Sequence, residues 1–137
     1  MRSAMQWMVL NDLMVCVASS GEPDKATVAR FLAELRTKPI RRIVATPMSA
    51  SDELAEERLS CGEICASRGI KVALLVEPSV AAAYASAAAF AAPTFAAFTW
   101  DQMDRALAHV DVRGAAATAP VRAALAELRK DLAAIAA

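Results

Sequence analysis

Few side chains in this 137-residue sequence belong to the types that carry out covalent catalysis. His109 is the only histidine, and Cys61 and Cys65 are the thiols that could work with it in an enzyme. A cysteine nucleophile is usually activated by a neighbouring base, but a lone histidine near a helix end is more often a capping group. The sequence therefore predicts a protein without enzymatic activity, and an enzyme that uses His109 with Cys61 or Cys65 is the alternative.

The three cysteines could be metal ligands or core residues. Cys61 and Cys65 are four positions apart on a predicted helix, so their side chains can share one face. Cys16 and His109 are not at the spacing of a structural zinc site, and unpaired cysteine is among the most buried residue types. We therefore expect buried thiols, no metal and no cofactor. An odd number of cysteines also does not suggest a disulfide framework.

Phosphate binding by a glycine-rich loop is not expected in this sequence. It has only four glycines, and they are far apart. None of the predicted strand-to-helix junctions matches a dinucleotide or P-loop motif. The carboxylates between residues 52 and 63 follow one helix and are typical of a solvated face, with Arg58 among them.

The loop at residues 47–51 carries the most informative hydroxyl groups. Ser49 and Ser51 come after a predicted buried strand and before a helix. They are therefore expected at the carboxyl edge of the sheet, where ligands and partners of α/β proteins usually bind. Either serine could cap the helix, or accept a phosphate that the helix N-terminus would stabilise.

Composition excludes several classes of protein. Fifteen basic and fifteen acidic residues give a net charge of zero, which does not favour binding to nucleic acid or to an anionic membrane. The apolar fraction of 57% is too high for a disordered chain. Residues 79–100 carry no charge, but they are rich in alanine and contain Pro93, so a membrane span is not expected. We expect a cytoplasmic protein.

Hydrophobic periodicity predicts an α/β fold. Strands are predicted at residues 6–10, 13–19, 43–45, 71–76 and 95–98, and a helix separates each later strand from the one before it. The result is a mostly parallel sheet of about five strands with an N-terminal antiparallel hairpin and four helices. Residues 1–112 form this domain, residues 113–119 are predicted to be a linker, and residues 120–137 are predicted to be a C-terminal amphipathic helix.

This order of elements resembles the STAS domain of bacterial anti-sigma-factor antagonists. The likeness covers residues 5–112 and is carried by residues 13–19, 31–35, 42–46, 68–76 and 95–107. It implies a bacterial signalling or scaffolding module that binds a protein partner. In that family a partner kinase phosphorylates a serine or threonine before the second main helix, and Ser49 and Ser51 are the matching positions. The run here reads Pro-Met-Ser-Ala-Ser-Asp instead of the family's Asp-Ser-Ser/Thr-Gly.

The last predicted helix has apolar residues at alternating spacings of four and three. A heptad seam of this kind can bind a second helix, and a short one can equally fold back on its own domain. Self-association through this seam and packing within the chain are therefore both open. Its residues are Val121, Leu125, Leu128, Leu132 and Ile135.

A small-molecule or lipid carrier is the second hypothesis. Small alanines in residues 79–100 could leave room for a cavity, and aromatic side chains could line it. The candidate lining residues are Tyr84, Phe90, Phe95, Phe98 and Trp100.

Overall fold

The computed structural model describes residues 5–18, 25–47, 52–84 and 94–136, and the side chains of residues 132–136 are outside that description. The chain begins with an antiparallel hairpin of strands β1 (Met5–Leu10) and β2 (Leu13–Ala18). Its turn consists of Asn11 and Asp12, and Asn11 has a φ of 57°, a conformation that asparagine tolerates better than most residues. The predicted hairpin is confirmed.

Three further strands complete a five-stranded mixed sheet. They are β3 (Arg42–Ala45), β4 (Lys71–Val76) and β5 (Phe95–Thr99). The strands lie in the order β1-β2-β3-β4-β5, and every pair after the hairpin is parallel. The predicted α/β class and its mostly parallel sheet are confirmed.

Helices α1 (Lys25–Thr37) and α2 (Ala55–Arg68) pack on one face of the sheet, called here the α1/α2 face. Alternation in β2 directs Met14 and Cys16 to this face. From α1, Val28 and Leu35 are fully buried in the same cluster. The buried residues Val28, Phe31, Leu32 and Leu35 are spaced at i, i+3, i+4 and i+7, so one side of α1 packs against the sheet.

Arg68, the last residue of α2, holds the ends of the two helices together. Its guanidinium donates hydrogen bonds to the carbonyl oxygens of Leu35, of Lys38 at 3.0 Å and of Ile40 at 3.2 Å. The C-terminal carbonyls of a helix have no partner within that helix, so a cationic donor there satisfies them and favours the negative end of the dipole.

Gly69 ends α2 in the left-handed conformation, with a φ of 63°, as the sequence predicts. We expect Gly69→Ala to lower the free energy of unfolding by about 1 kcal/mol, because a Cβ disfavours this conformation. The matched variant is Gly62→Ala within α2, where an added Cβ meets no atom within 4 Å. It should raise stability by about 0.5–1 kcal/mol. Urea denaturation measures the free energy of unfolding of both variants. If both substitutions changed it in the same direction, this explanation of Gly69 would be wrong.

The opposite face of the sheet, called here the α3/α4 face, is covered by helices α3 (Met103–His109) and α4 (Ala115–Ala136). Alternate residues of β2 point to it, namely Leu13, Val15 and Val17. In the part of the chain that the structure describes, the sheet therefore lies between α1 and α2 on one face and α3 and α4 on the other.

The predicted linker at residues 113–119 is wrong, because most of it is helical. Helix α4 begins at Ala115, includes Pro120, and starts with a hydrogen bond from the Thr118 N–H to the Gly114 carbonyl at 3.0 Å. Alanine has the highest intrinsic helix propensity, which favours helix in this alanine-rich stretch despite the proline.

The segment between β4 and β5 is described only in part. Residues 78–84 form a short 3-10 turn followed by a helical turn. Part of the helix that the sequence predicts between β4 and β5 falls in residues 85–93, which are outside the described residues. In the part of the chain that the structure describes, no helix has the length and apolar character needed to cross a membrane.

Candidate functional site

The carboxyl ends of β2 and β3 are adjacent and are joined by side-chain and backbone bonds. The Ala18 N–H donates to the Thr46 Oγ1 at 2.7 Å, and the Thr46 N–H donates to the Cys16 carbonyl at 3.1 Å. The segments that follow these strands are residues 19–24 and 48–51, so Ser49 and Ser51 are outside the described residues. In the sequence, Ser49 and Ser51 follow Thr46 by three and five residues.

An apolar cavity of about 80 Å³ lies beneath this edge, between the sheet and helices α1 and α2. Its wall includes Thr46 from the edge, Phe31 from α1 and Phe95 from β5. The volume is enough for a few water molecules or a few non-hydrogen atoms of a ligand. It is too small for a lipid chain.

All three cysteines line this cavity. Cys16 lies on β2, whereas Cys61 and Cys65 lie on α2 with their side chains on the same side of the helix, as the spacing predicts. The thiols are free. Within the described ranges no group of three or more histidine, cysteine or carboxylate side chains could hold a metal ion.

The three thiols differ in acidity. A hydrogen bond from the Cys65 thiol lowers the pKa of Cys61, and the same bond together with burial raises the pKa of Cys65. Burial raises the pKa of Cys16 strongly, with a further increase from nearby Cys61. Cys61 is also half-buried, while Cys16 and Cys65 are buried, so Cys61 is the most accessible of the three thiols.

We expect iodoacetamide to alkylate Cys61 first in the folded protein, and to do so below the pH range in which an ordinary thiol ionises. Peptide mapping by mass spectrometry identifies the labelled residue, and a chain carrying Cys61→Ser should remain unlabelled until urea unfolds it. Labelling of Cys16 or Cys65 before Cys61 under native conditions would contradict the assignment.

The structure does not bring His109 to the thiols. His109 ends α3, and its Nε2 lies 2.8 Å from the Thr94 carbonyl oxygen, while its ring contacts Phe98 with 5.8 Å between centroids. Cys61 and Cys65 are on the other side of the sheet. This hydrogen bond connects the end of α3 to the residue before β5.

The aromatic residues predicted to line one cavity lie in different places. Phe95 lines the cavity on the α1/α2 face, whereas Phe98 and Trp100 pack on the α3/α4 face. Phe95 and Phe98 are three residues apart in one strand. Side chains in a strand alternate between the two faces of the sheet, so residues at an odd spacing lie on opposite faces. Tyr84 is half-buried, and Phe90 is outside the described residues.

The predicted helical seam packs within the chain in the part whose side chains are described. Val121, Leu125 and Leu128 of α4 are each no more than 3% exposed and join the core on the α3/α4 face. This is the fold-back alternative that the sequence left open. The side chains of Leu132 and Ile135 are outside the described residues.

Two tryptophans make polar contacts that the sequence analysis did not anticipate. The Trp7 Nε1 donates to Glu34 Oε2 at 2.5 Å, which ties β1 to α1. The guanidinium of Arg129 lies 4.0 Å from the ring centroid of Trp100, which ties α4 to the end of β5. Both pairs are distant in sequence, so no local spacing could have indicated them.

Neither family models, curated proteins nor solved structures match this chain.

Proposed function

We propose that the chain is a non-enzymatic, STAS-like signalling or scaffolding module of the bacterial cytoplasm that binds a protein partner and a second copy of itself. The strand order carries this proposal: a hairpin is followed by parallel strands added one after another, with α1 and α2 together on one face. The described residues contain the hairpin, α1, β3, α2, β4, β5 and α3 in the chain order on which the STAS likeness rests, which supports the proposal.

The partner surface in this proposal is the carboxyl edge of β2 and β3. The Thr46 hydroxyl bonds the two strand ends there, and the segments that follow them hold Ser49 and Ser51. A phosphate on either serine adds about −1.5 to −2 charges to this edge. Phosphorylation is proposed to switch partner binding by this change of charge.

A photo-crosslinking residue at Pro47 tests the surface in living cells of the native host. Pro47 is half-buried and directly follows Thr46, and the matched control position is Asp111, an exposed turn residue at the opposite end of the strands. One discrete crosslinked species should form from position 47 and not from position 111. Its yield should change in Ser49→Asp or Ser51→Asp chains. Equal capture from both positions would contradict the proposal.

A ligand-binding function is the second candidate, and the cavity lined by the three thiols favours it. Its volume limits the ligand to a small molecule. The ligand should also be apolar, because polar lining groups are few and the walls are mostly aliphatic and aromatic. Native mass spectrometry of the purified protein should then show a bound mass that Phe31→Trp removes by filling the cavity. A single species at the mass of the chain would count against this function.

A further inference from the structure

Strand β1 is an edge strand whose outer side pairs with no other strand among the described residues. Its sequence is MQWMVL, with no charged residue and no proline. Natural edge strands usually carry such residues, because unpaired N–H and C=O groups otherwise bind another strand. The absence of this protection along six residues makes β1 suited to pairing with a strand from another chain.

The hairpin register identifies which backbone groups point outward. Leu10 pairs with Leu13 across a two-residue turn, and this closing pair is hydrogen-bonded in such hairpins. Because hydrogen-bonded and non-hydrogen-bonded pairs alternate, Met8 also bonds to β2, whereas the N–H and C=O groups of Trp7 and Val9 point away from it.

We propose that two copies of this chain associate by antiparallel pairing of their β1 strands, around a two-fold axis at Met8. This register places Trp7 of each copy opposite Val9 of the other. The outward N–H and C=O groups of both residues are then used, which gives four hydrogen bonds between the copies. The two sheets join into one, with corresponding faces on the same side.

Charges on α1 support a second copy of the chain as the occupant. Trp7 lies under α1, where it bonds to Glu34 and where the Arg30 guanidinium is 5.7 Å from its ring centroid. The two-fold axis at Met8 reverses the direction of α1 in the second copy and brings the surface beside Trp7 next to its own copy. Arg30 and Glu34 place opposite charges on this surface, although Lys38 already bonds to Glu34 at 2.6 Å, so the surface is complementary to itself.

This inference rests on the self-association in the proposed function, and a disulfide tests its register. In the proposed pairing, Met8 faces its own copy in a non-hydrogen-bonded pair, where Cα atoms lie about 4.5 Å apart, within the range of a disulfide. In a chain carrying Cys16→Ala, Cys61→Ala and Cys65→Ala, the variant Met8→Cys should form a covalent dimer in oxidised glutathione. The control Gln6→Cys shares the face of Met8, but its two copies would be about 13 Å apart, and it should stay monomeric.

The variant Val9→Pro tests the interface in the chain with its natural cysteines. The Val9 N–H points away from β2, so proline should leave the hairpin bonds intact while removing a donor at two symmetric positions. Sedimentation velocity should show a dimer for the natural chain and a monomer for the variant. The natural chain should be measured over a 100-fold range of concentration that reaches its solubility limit. If it is monomeric throughout this range, both the self-association and this inference are overturned. A dimer that Met8→Cys does not link, or that Gln6→Cys links equally, would overturn only the β1 interface.

Discussion

A chain that ends at Val112 should not fold. Without α4, the apolar residues that β1 and β2 present to the α3/α4 face lose their cover, because α4 contacts both strands. Burial of Val121, Leu125 and Leu128 alone contributes about 5–9 kcal/mol, which is comparable to the whole stability of a domain this size. The shortened chain should show no cooperative urea transition and should bind ANS.

The matched control for this truncation is a chain that ends at Asp131. It keeps Val121, Leu125 and Leu128, together with Arg129, whose guanidinium lies on the ring of Trp100. We expect it to unfold cooperatively, with circular dichroism close to that of the full chain. A folded, cooperative chain ending at Val112 would show that α4 is an accessory to the core and would return the helix to the role of a partner seam.

Phe31→Ala should lower the free energy of unfolding by about 3–5 kcal/mol. Phe31 is 3% exposed, lines the thiol cavity, and meets Trp7 edge to face with 5.4 Å between ring centroids. Its removal deletes that contact and enlarges a cavity whose lining is almost wholly apolar. The enlarged cavity should accept benzene, and the melting temperature of the variant should rise when benzene is added.

The control for this second variant is Leu59→Ala on the outer side of α2, where the leucine is 64% exposed. Its stability should change by no more than about 0.5 kcal/mol, and benzene should not raise its melting temperature beyond that of the natural chain. Thermal melts at several benzene concentrations measure both effects. If Phe31→Ala showed the loss of stability without a response to benzene, the cavity would have collapsed, and the ligand-binding alternative would lose its site.

The strands were predictable because their ends carry strong local signals. Strand β4 was predicted at residues 71–76 and has those bounds, since Gly69 stops α2 before it and Glu77-Pro78 follows it. The hairpin was equally clear from Asn11 and Asp12 between two β-rich runs. In both cases the residues that end an element also prevent its extension.

The start of α4 was not predictable in the same way. Gly114 and Pro120 bound a stretch whose sequence predicts a linker, with the helix beginning at Pro120. In the structure Gly114 has a φ of 86° and precedes the helix, and Pro120 lies within it. A proline there removes one hydrogen bond, but the alanines around it and the burial of Val121 favour helix.

The candidate site was only partly predictable, because it depends on contacts between distant segments. The spacing of Cys61 and Cys65 indicated that they share a helix face, but nothing local placed Cys16 at the same cavity. The three-residue spacing of Phe95 and Phe98 did contain the signal that they lie on opposite faces. The sequence alone could not decide whether the helical seam packs within the chain or binds a second helix. The structure shows that Val121, Leu125 and Leu128 pack against the sheet of their own chain.

The position of α4 has a consequence for how the protein is made. It contacts β1 and β2, which precede the other described elements in the chain, whereas α4 follows all of them. The apolar surface formed by Leu13, Val15 and Val17 therefore lacks the cover of α4 until residues 115–128 have been synthesised. Folding of this layer must wait for α4, and the nascent hairpin is a segment that a chaperone would shield in the meantime.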